Sequence, residues 1–292
     1  MHELKKHLSV EKQVDLLISR GLIINDREKT ERLLSNVNYY RLSGYLHGFK
    51  DKKSGLYQQG TSIELVHTLY EFDRRFTRIL MYALEDIEET LKTRISYCLS
   101  SSFPEDPLIY KKADIYKSED EFNRFSDIFQ KEVKNNQKVP FVKHHFEKYD
   151  GEIPIWVAVE IMTMGNMYAI YKNLLTPYRK KIAATYDTGP NQLESWIQNL
   201  TYTRNHLAHY MRIYDYSFGR TPAQCTKHHK YKIKSGKIFD QIYIMSFMYS
   251  DKEEWNQYVI PEMERLFLQY SGYIRLESLG FPAEWKYIIK KS

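Results

Sequence analysis

The sequence predicts an all-α protein, and three observations carry that expectation. Apolar residues recur at helical spacing through most of the chain, most persistently from Leu65 to Leu99. Proline and glycine fall between these stretches, at Pro104 and Pro107 and again at Gly189 and Pro190, where helices stop and start. Alternation of the strand type is confined to two short runs, 231–233 and 238–244. The expected architecture is one helical assembly with N- and C-terminal elaborations and room for a single short β-hairpin. Three regions follow: an N-terminal helical region 1–60, a helical core 61–218, and a basic loop with C-terminal helices, 219–292.

Composition bounds the class. The 292 residues suffice for a full core, and 42% hydrophobic with 27% charged content is globular rather than disordered. The net charge of +6 permits contact with a polyanion without requiring it. Two cysteines, Cys98 and Cys225, exclude a disulfide scaffold and fit a reducing, cytoplasmic setting. The first ten residues carry no apolar run of the signal-peptide kind, and the most apolar stretch, 153–171, contains Glu160 and Asn166, so it reads as a core helix rather than a membrane span. Cys225 with His228 and His229 is too sparse for a metal site. The 25 tyrosines and 14 phenylalanines offer stacking surfaces, although most belong in a core.

Taken in order, 9–21 is a short amphipathic helix with Val14, Leu17 and Ile18 inward, and a second helix begins near Asp26. Tyr39, Tyr40, Leu42, Tyr45, Leu46 and Phe49 form an aromatic docking block, with Arg41 a phosphate-binding candidate. The polar stretch 50–60 is a loop, and from Ser62 the chain enters its longest helix. A charged helical region spans 114–138 with Phe122, Phe125, Ile128 and Phe129 on one side, and 139–149 reads as a surface loop. The run 155–175 reads as one apolar helix in which Glu160 needs a partner. Arg179, Lys180 and Lys181 make a basic cluster. Beyond 218 the chain turns polar and basic to Gly236, with Lys230 and Lys232 among its cations; 242–249 could begin a helix instead of closing a hairpin. A helix over 254–270 meets Pro261 as a kink or restart.

The richest chemistry lies in 193–216, read as a helix. Arg204, Asn205, His206 and His209 fall within six positions. At about 100° per residue, Asn205, His209, Arg212 and Tyr216 share a polar sector, whereas Arg204 lies about 140° from His209, toward the apolar stripe. Either a helix break near 201–203 resets the phase, or Arg204 is a buried cation that needs a carboxylate, from Glu88 or Glu160. A guanidinium grips two oxygens of one phosphate, and an imidazole exchanges a proton near neutral pH. RNA carries its own nucleophile, the 2′-OH, so a phosphate holder and a proton shuttle suffice, with no metal or other cofactor.

This segment resembles the R-x4-6-H motif of HEPN-domain ribonucleases, and in its wider wording the Abi-like (AbiD/AbiF-type) abortive-infection proteins. The likeness runs through five ordered blocks: Asn38 to Tyr45, Tyr70 to Arg75, Pro154 to Glu160, Leu193 to Trp196 leading into Arg204 and His209, and Gly280 to Trp285. Family members often carry Cys before the Ala-His pair and a second His after it, where this chain has Leu207 and Tyr210.

The resemblance implies a HEPN-like bundle and a metal-independent endoribonuclease of bacterial antiphage defence, toxin-like in action. His209 would act as general acid or base, Arg204 would hold the scissile phosphate, and Asn205 would orient the histidine or touch the phosphate. Lys180, Lys181, Arg212, Lys230 and Lys232 are the candidates for gripping the RNA backbone. A homodimer with a composite site and a small noncoding RNA partner are further implications. The alternative is a non-catalytic module that binds a small structured RNA or senses a phage component. Nucleotidyl transfer would need a partner enzyme, since no such motif occurs here.

Overall fold

A computed structural model of the chain describes residues 4, 6–224, 233 and 235–290. Ser9 caps α1 (Val10–Ser19) and Asp26 caps α2 (Arg27–Asn36), each side chain accepting the amide three residues on. The aromatic block becomes α3 (Tyr39–Leu46), started by Asn38 and seated on the next helix. That helix, α4 (Ile63–Ser100), is the axis of the molecule. Its 38 residues contain neither Gly nor Pro, it is capped by Ser62, and at 1.5 Å per residue it is about 57 Å long.

The charged region yields α5 (Glu119–Asn135), whose Phe125 and Phe129 rings close on Tyr110 while Ile128 remains exposed. Residues 139–149, expected as a loop, hold a helix, α6 (Pro140–Lys148), with Pro140 in its first turn, where a missing N–H costs nothing. The apolar run 155–175 is not one helix. It breaks into α7 (Ile155–Ala158), a 3-10 turn (Val159–Ile161) and α8 (Met164–Asn173). The break is made at Thr163, whose hydroxyl accepts the Asn166 amide while the Asn166 side chain accepts the Thr163 amide. Periodicity cannot detect this, because both sides of the break are apolar.

α9 (Thr176–Ala184) leads to α10 (Pro190–Ala208), which packs on α8, α9 and α4. Then α11 (Ile238–Met248) lies against α4 and α10. Among the described residues there are three isolated bridges and no strand; of the hairpin allowed by the sequence, Tyr231 and Lys232 of the first arm lie outside the described residues, and the second arm is helix. The run 238–244 is a helix buried on nearly every side, so its hydrophobicity carries no usable period. Lys252–Glu254 (α12) passes through a π-turn, Trp255–Val259, into α13 (Ile260–Gln269), with Pro261 in the first turn of the new helix. α14 (Trp285–Ile289) ends the described chain.

The C-terminal helices share the core of the rest. Phe267 lies 6.2 Å from Phe72 and 5.4 Å from Phe76, and Phe281 and Trp285 close over it. Among the described residues no helix is long and apolar enough to cross a membrane.

Candidate functional site

α10 is unbroken from Pro190 to Ala208, and the Thr201 and Thr203 hydroxyls return to the Ile197 and Asn199 carbonyls inside it. The phase reset is therefore excluded, and Arg204 meets a carboxylate instead. Its Nε lies 3.5 Å from Glu88 Oε2 on α4, with the two side chains 36% and 16% exposed. Glu88 Oε1 also stands 3.4 Å from Lys92 Nζ. Arg204 is thus a half-open cation tethered on one side, with guanidinium edge left to face solvent.

The helix ends at the motif. His209 is its C-cap, exposed, with its amide donating to the Asn205 carbonyl. Tyr210 follows at φ 55°, and Met211 N–H donates back to the His206 carbonyl. This is a helix terminus of the left-handed kind, with Tyr in the place glycine usually takes. The polar sector expected from a continuing helix therefore dissolves. Asn205 and His209 remain together on the last turn, while Arg212 and Tyr216 leave with the turning chain.

What directs that turn is Asp73, which the sequence reading missed. It is 3% exposed on α4 and accepts Ile213 N–H at 2.7 Å, Tyr214 N–H at 3.0 Å and the Tyr45 hydroxyl at 2.8 Å. Burial pushes its carboxyl up to about 6, against the pull of those donors and of the nearby Arg212 charge. Its signal was present: an acid between Leu69, Phe72 and Phe76, in the middle of an apolar stripe, must find donors. His206, by contrast, is a packing histidine. It is 6% exposed, its ring lies 4.4 Å from Tyr216, and its Nε2 is 2.8 Å from the Arg212 carbonyl. Burial lowers its pKa, offset in part by that carbonyl.

The remaining candidates separate. Glu160 does not reach Arg204: it stands exposed in the 3-10 turn after α7, so burial imposes no need of a partner. Arg179 is buried and ion-paired with Glu194, leaving Lys180 and Lys181 as the exposed pair of that cluster. Lys181 Nζ donates to Ser101 and Ser102 at the far end of α4. Arg212 is half-buried beside the Asp73 carboxylate. Arg41 donates to the Tyr210 carbonyl, one residue past His209. Lys230 and Lys232 lie outside the described residues, as do Cys225, His228 and His229; among the described residues no group of His, Cys, Asp and Glu could hold a metal.

The fold and this turn define an all-α protein that presents an Arg, an amide and an exposed His at one helix terminus, backed by a carboxylate from its longest helix. The family model for Abi-like proteins matches residues 32–215, from α2 through the Asp73-held turn, and the chain belongs to that family. No curated protein and no solved structure matches it.

Proposed function

We propose that this protein is a metal-independent endoribonuclease of abortive-infection defence, of the HEPN kind and closest in type to AbiD/AbiF. Membership of the Abi-like family supports the defence role. The observation that carries the chemistry is that Arg204, held by Glu88, and exposed His209 both lie near the C-terminal end of α10, five residues and about 140° apart around it. In the proposed reaction the substrate's 2′-oxygen attacks the adjacent phosphorus and the bond to the 5′-oxygen breaks. One imidazole takes the 2′-OH proton and another group returns a proton to the leaving 5′-oxygen, giving a 2′,3′-cyclic phosphate and a 5′-OH end. Arg204 offsets the charge gathering on the phosphate, and Asn205 contacts it or orients His209.

A single imidazole serves poorly as both base and acid, so the proposal includes a homodimer that brings His209 of a second copy to the same cleft. A small structured RNA that restrains the enzyme in the cytoplasm belongs to the same reading. The test is purified protein with RNA in EDTA, the product ends being mapped. Cleavage should survive the chelator and fall about 100-fold or more in Arg204→Ala and in His209→Ala. Cleavage that persists in both variants, or that disappears with metal, overturns the mechanism. Tight RNA binding without any cleavage would favour the non-catalytic module.

A further inference from the structure

A second basic feature lies off the motif, between α4 and α13. It is a groove of about 430 Å³ lined by three arginines, Arg75, Arg78 and Arg265, with the Tyr82 and Tyr258 rings on one side and Gln269 at its end. Among the lining residues one is acidic, Glu262, and it is paired with Arg265, while Glu254 beside the groove accepts the Tyr82 hydroxyl. Arg75 is held by Gln269 Oε1 at 3.3 Å and lies over the Tyr270 ring. Arg78 is exposed and has no ion-pair partner among the described residues. The groove therefore carries uncompensated positive charge in planar, donor-rich form, the form suited to phosphate oxygens. Tyr258 is 47% exposed, so its ring presents an apolar face beside those donors.

The helix that lines the groove, α4, also carries the acid that meets the motif. On α4, Arg74 lies about 40° around the helix from Glu88 and Arg78 about 80°. Arg78 is ten residues from Glu88, about 15 Å along the axis. Arg74 in turn lines a pocket with Arg41, Tyr70, Tyr210 and Met211, the residues around the turn after His209. Three arginines, Arg41, Arg74 and Arg78, thus lie between the motif turn and the groove, Arg74 paired with Glu71 at 3.0 Å. The exposed Glu85 and Glu89 lie further along α4, so a strand would reach the groove from the side of the motif turn.

We propose that the α4–α13 groove holds the phosphodiester backbone of the RNA strand that reaches the Arg204–His209 turn, with a base resting against Tyr258. The proposal rests on the reading that this protein acts on RNA, but it does not depend on cleavage. Each guanidinium–phosphate contact releases counterions, so the binding constant for a single strand falls with salt by a slope of about 0.7 per contact on logarithmic axes.

The test uses the full chain and a short fluorescent oligouridylate, titrated at several KCl concentrations. The double variant Arg78→Ala/Arg265→Ala should bind several-fold more weakly at low salt, and its slope should be smaller by about 1.4, two contacts of about 0.7 each. Arg78→Lys in place of Arg78→Ala, with Arg265→Ala retained, should recover about half of the lost slope, about 0.7, because one of the two cations remains. Tyr258→Ala should weaken binding without altering the slope. Both arginines are solvent-exposed, so melting temperatures should stay at the wild-type value. An unchanged slope, even with weaker binding, overturns the groove as a backbone track, as does a wild-type protein that binds an acidic polypeptide here and no RNA. A wild type that binds but never cuts, with the slope lowered in the double variant, removes the catalytic reading and leaves this one standing. Cleavage with an unchanged slope does the reverse.

Discussion

Glu88 lies 3.5 Å from Arg204 Nε and 3.4 Å from Lys92 Nζ, so one carboxylate on α4 serves both the motif cation and a neighbour on its own helix. A partly exposed pair of this kind contributes about 0–1 kcal/mol to stability. Its value lies in the direction it gives the guanidinium. Glu88→Gln keeps the shape and removes the charge. The expected outcome is a fall in RNA cleavage of roughly ten- to a hundredfold, as for a misplaced catalytic group, with the melting temperature within a degree or two of wild type. Wild-type cleavage in Glu88→Gln would separate the acid from the site.

Asp73 is expected to behave in the opposite way. Asp73→Ala leaves the buried Ile213 and Tyr214 amides and the Tyr45 hydroxyl without their acceptor. At about 1–3 kcal/mol for each orphaned buried group, urea unfolding should report a loss of about 3 kcal/mol or more. Tyr45→Phe removes one donor and leaves the two amides bonded, and should cost about 1 kcal/mol. Equal, small losses in both variants would show that the turn is held by something else.

Two buried groups, Asp73 and His206, set opposing pH slopes. Asp73 titrates at about 6 in the fold, against about 3.9 in an unfolded chain, so between those values the folded state holds the extra proton and stability falls as pH rises. His206 is shifted the other way by burial. The unfolded imidazole takes its proton first, near pH 6.5, so the stability it contributes is present above about pH 6.5 and is lost on acidification. Melting profiles from pH 4 to 8 should therefore show Asp73→Asn losing stability more steeply than wild type as the pH drops, and His206→Gln less steeply. Superimposable profiles for all three proteins would contradict both assignments.

Tyr210 holds φ 55° at the end of α10 and offers a backbone test of the motif turn. The left-handed conformation costs a non-glycine residue about 1 kcal/mol, and a β-branched one more. Tyr210→Gly should be as stable as wild type within about 1 kcal/mol, whereas Tyr210→Val should be less stable by about 1–2 kcal/mol. If Tyr210→Val melts with the wild type, the turn is not fixed as described.

Much of the scaffold was legible. An apolar stripe uninterrupted by Gly or Pro predicted α4, and the Pro190 signal placed the start of α10, because these depend on residues close in sequence. Where sequence reading went astray, local signals were mute or ambiguous. The break at Thr163 lies between two apolar runs, and the all-round burial of α11 mimics a strand. The supposed polar sector failed because α10 stops at Ala208, a stop made by a non-glycine residue in the left-handed region.

The sequence by itself determined that the chain is helical and that its longest helix begins at Ser62, and it left Arg204 between a helix break and a carboxylate partner. Only the tertiary structure decided which acid, by setting α10 across α4 so that Glu88 meets Arg204 while Glu160 is left in solvent. It also decided that Asp73 would receive the chain beyond His209. The reason is physical: helix propensity and hydrophobic period are written within a few residues, whereas the partner of a buried charge is chosen by packing between segments more than a hundred positions apart, here 140 between Asp73 and Ile213.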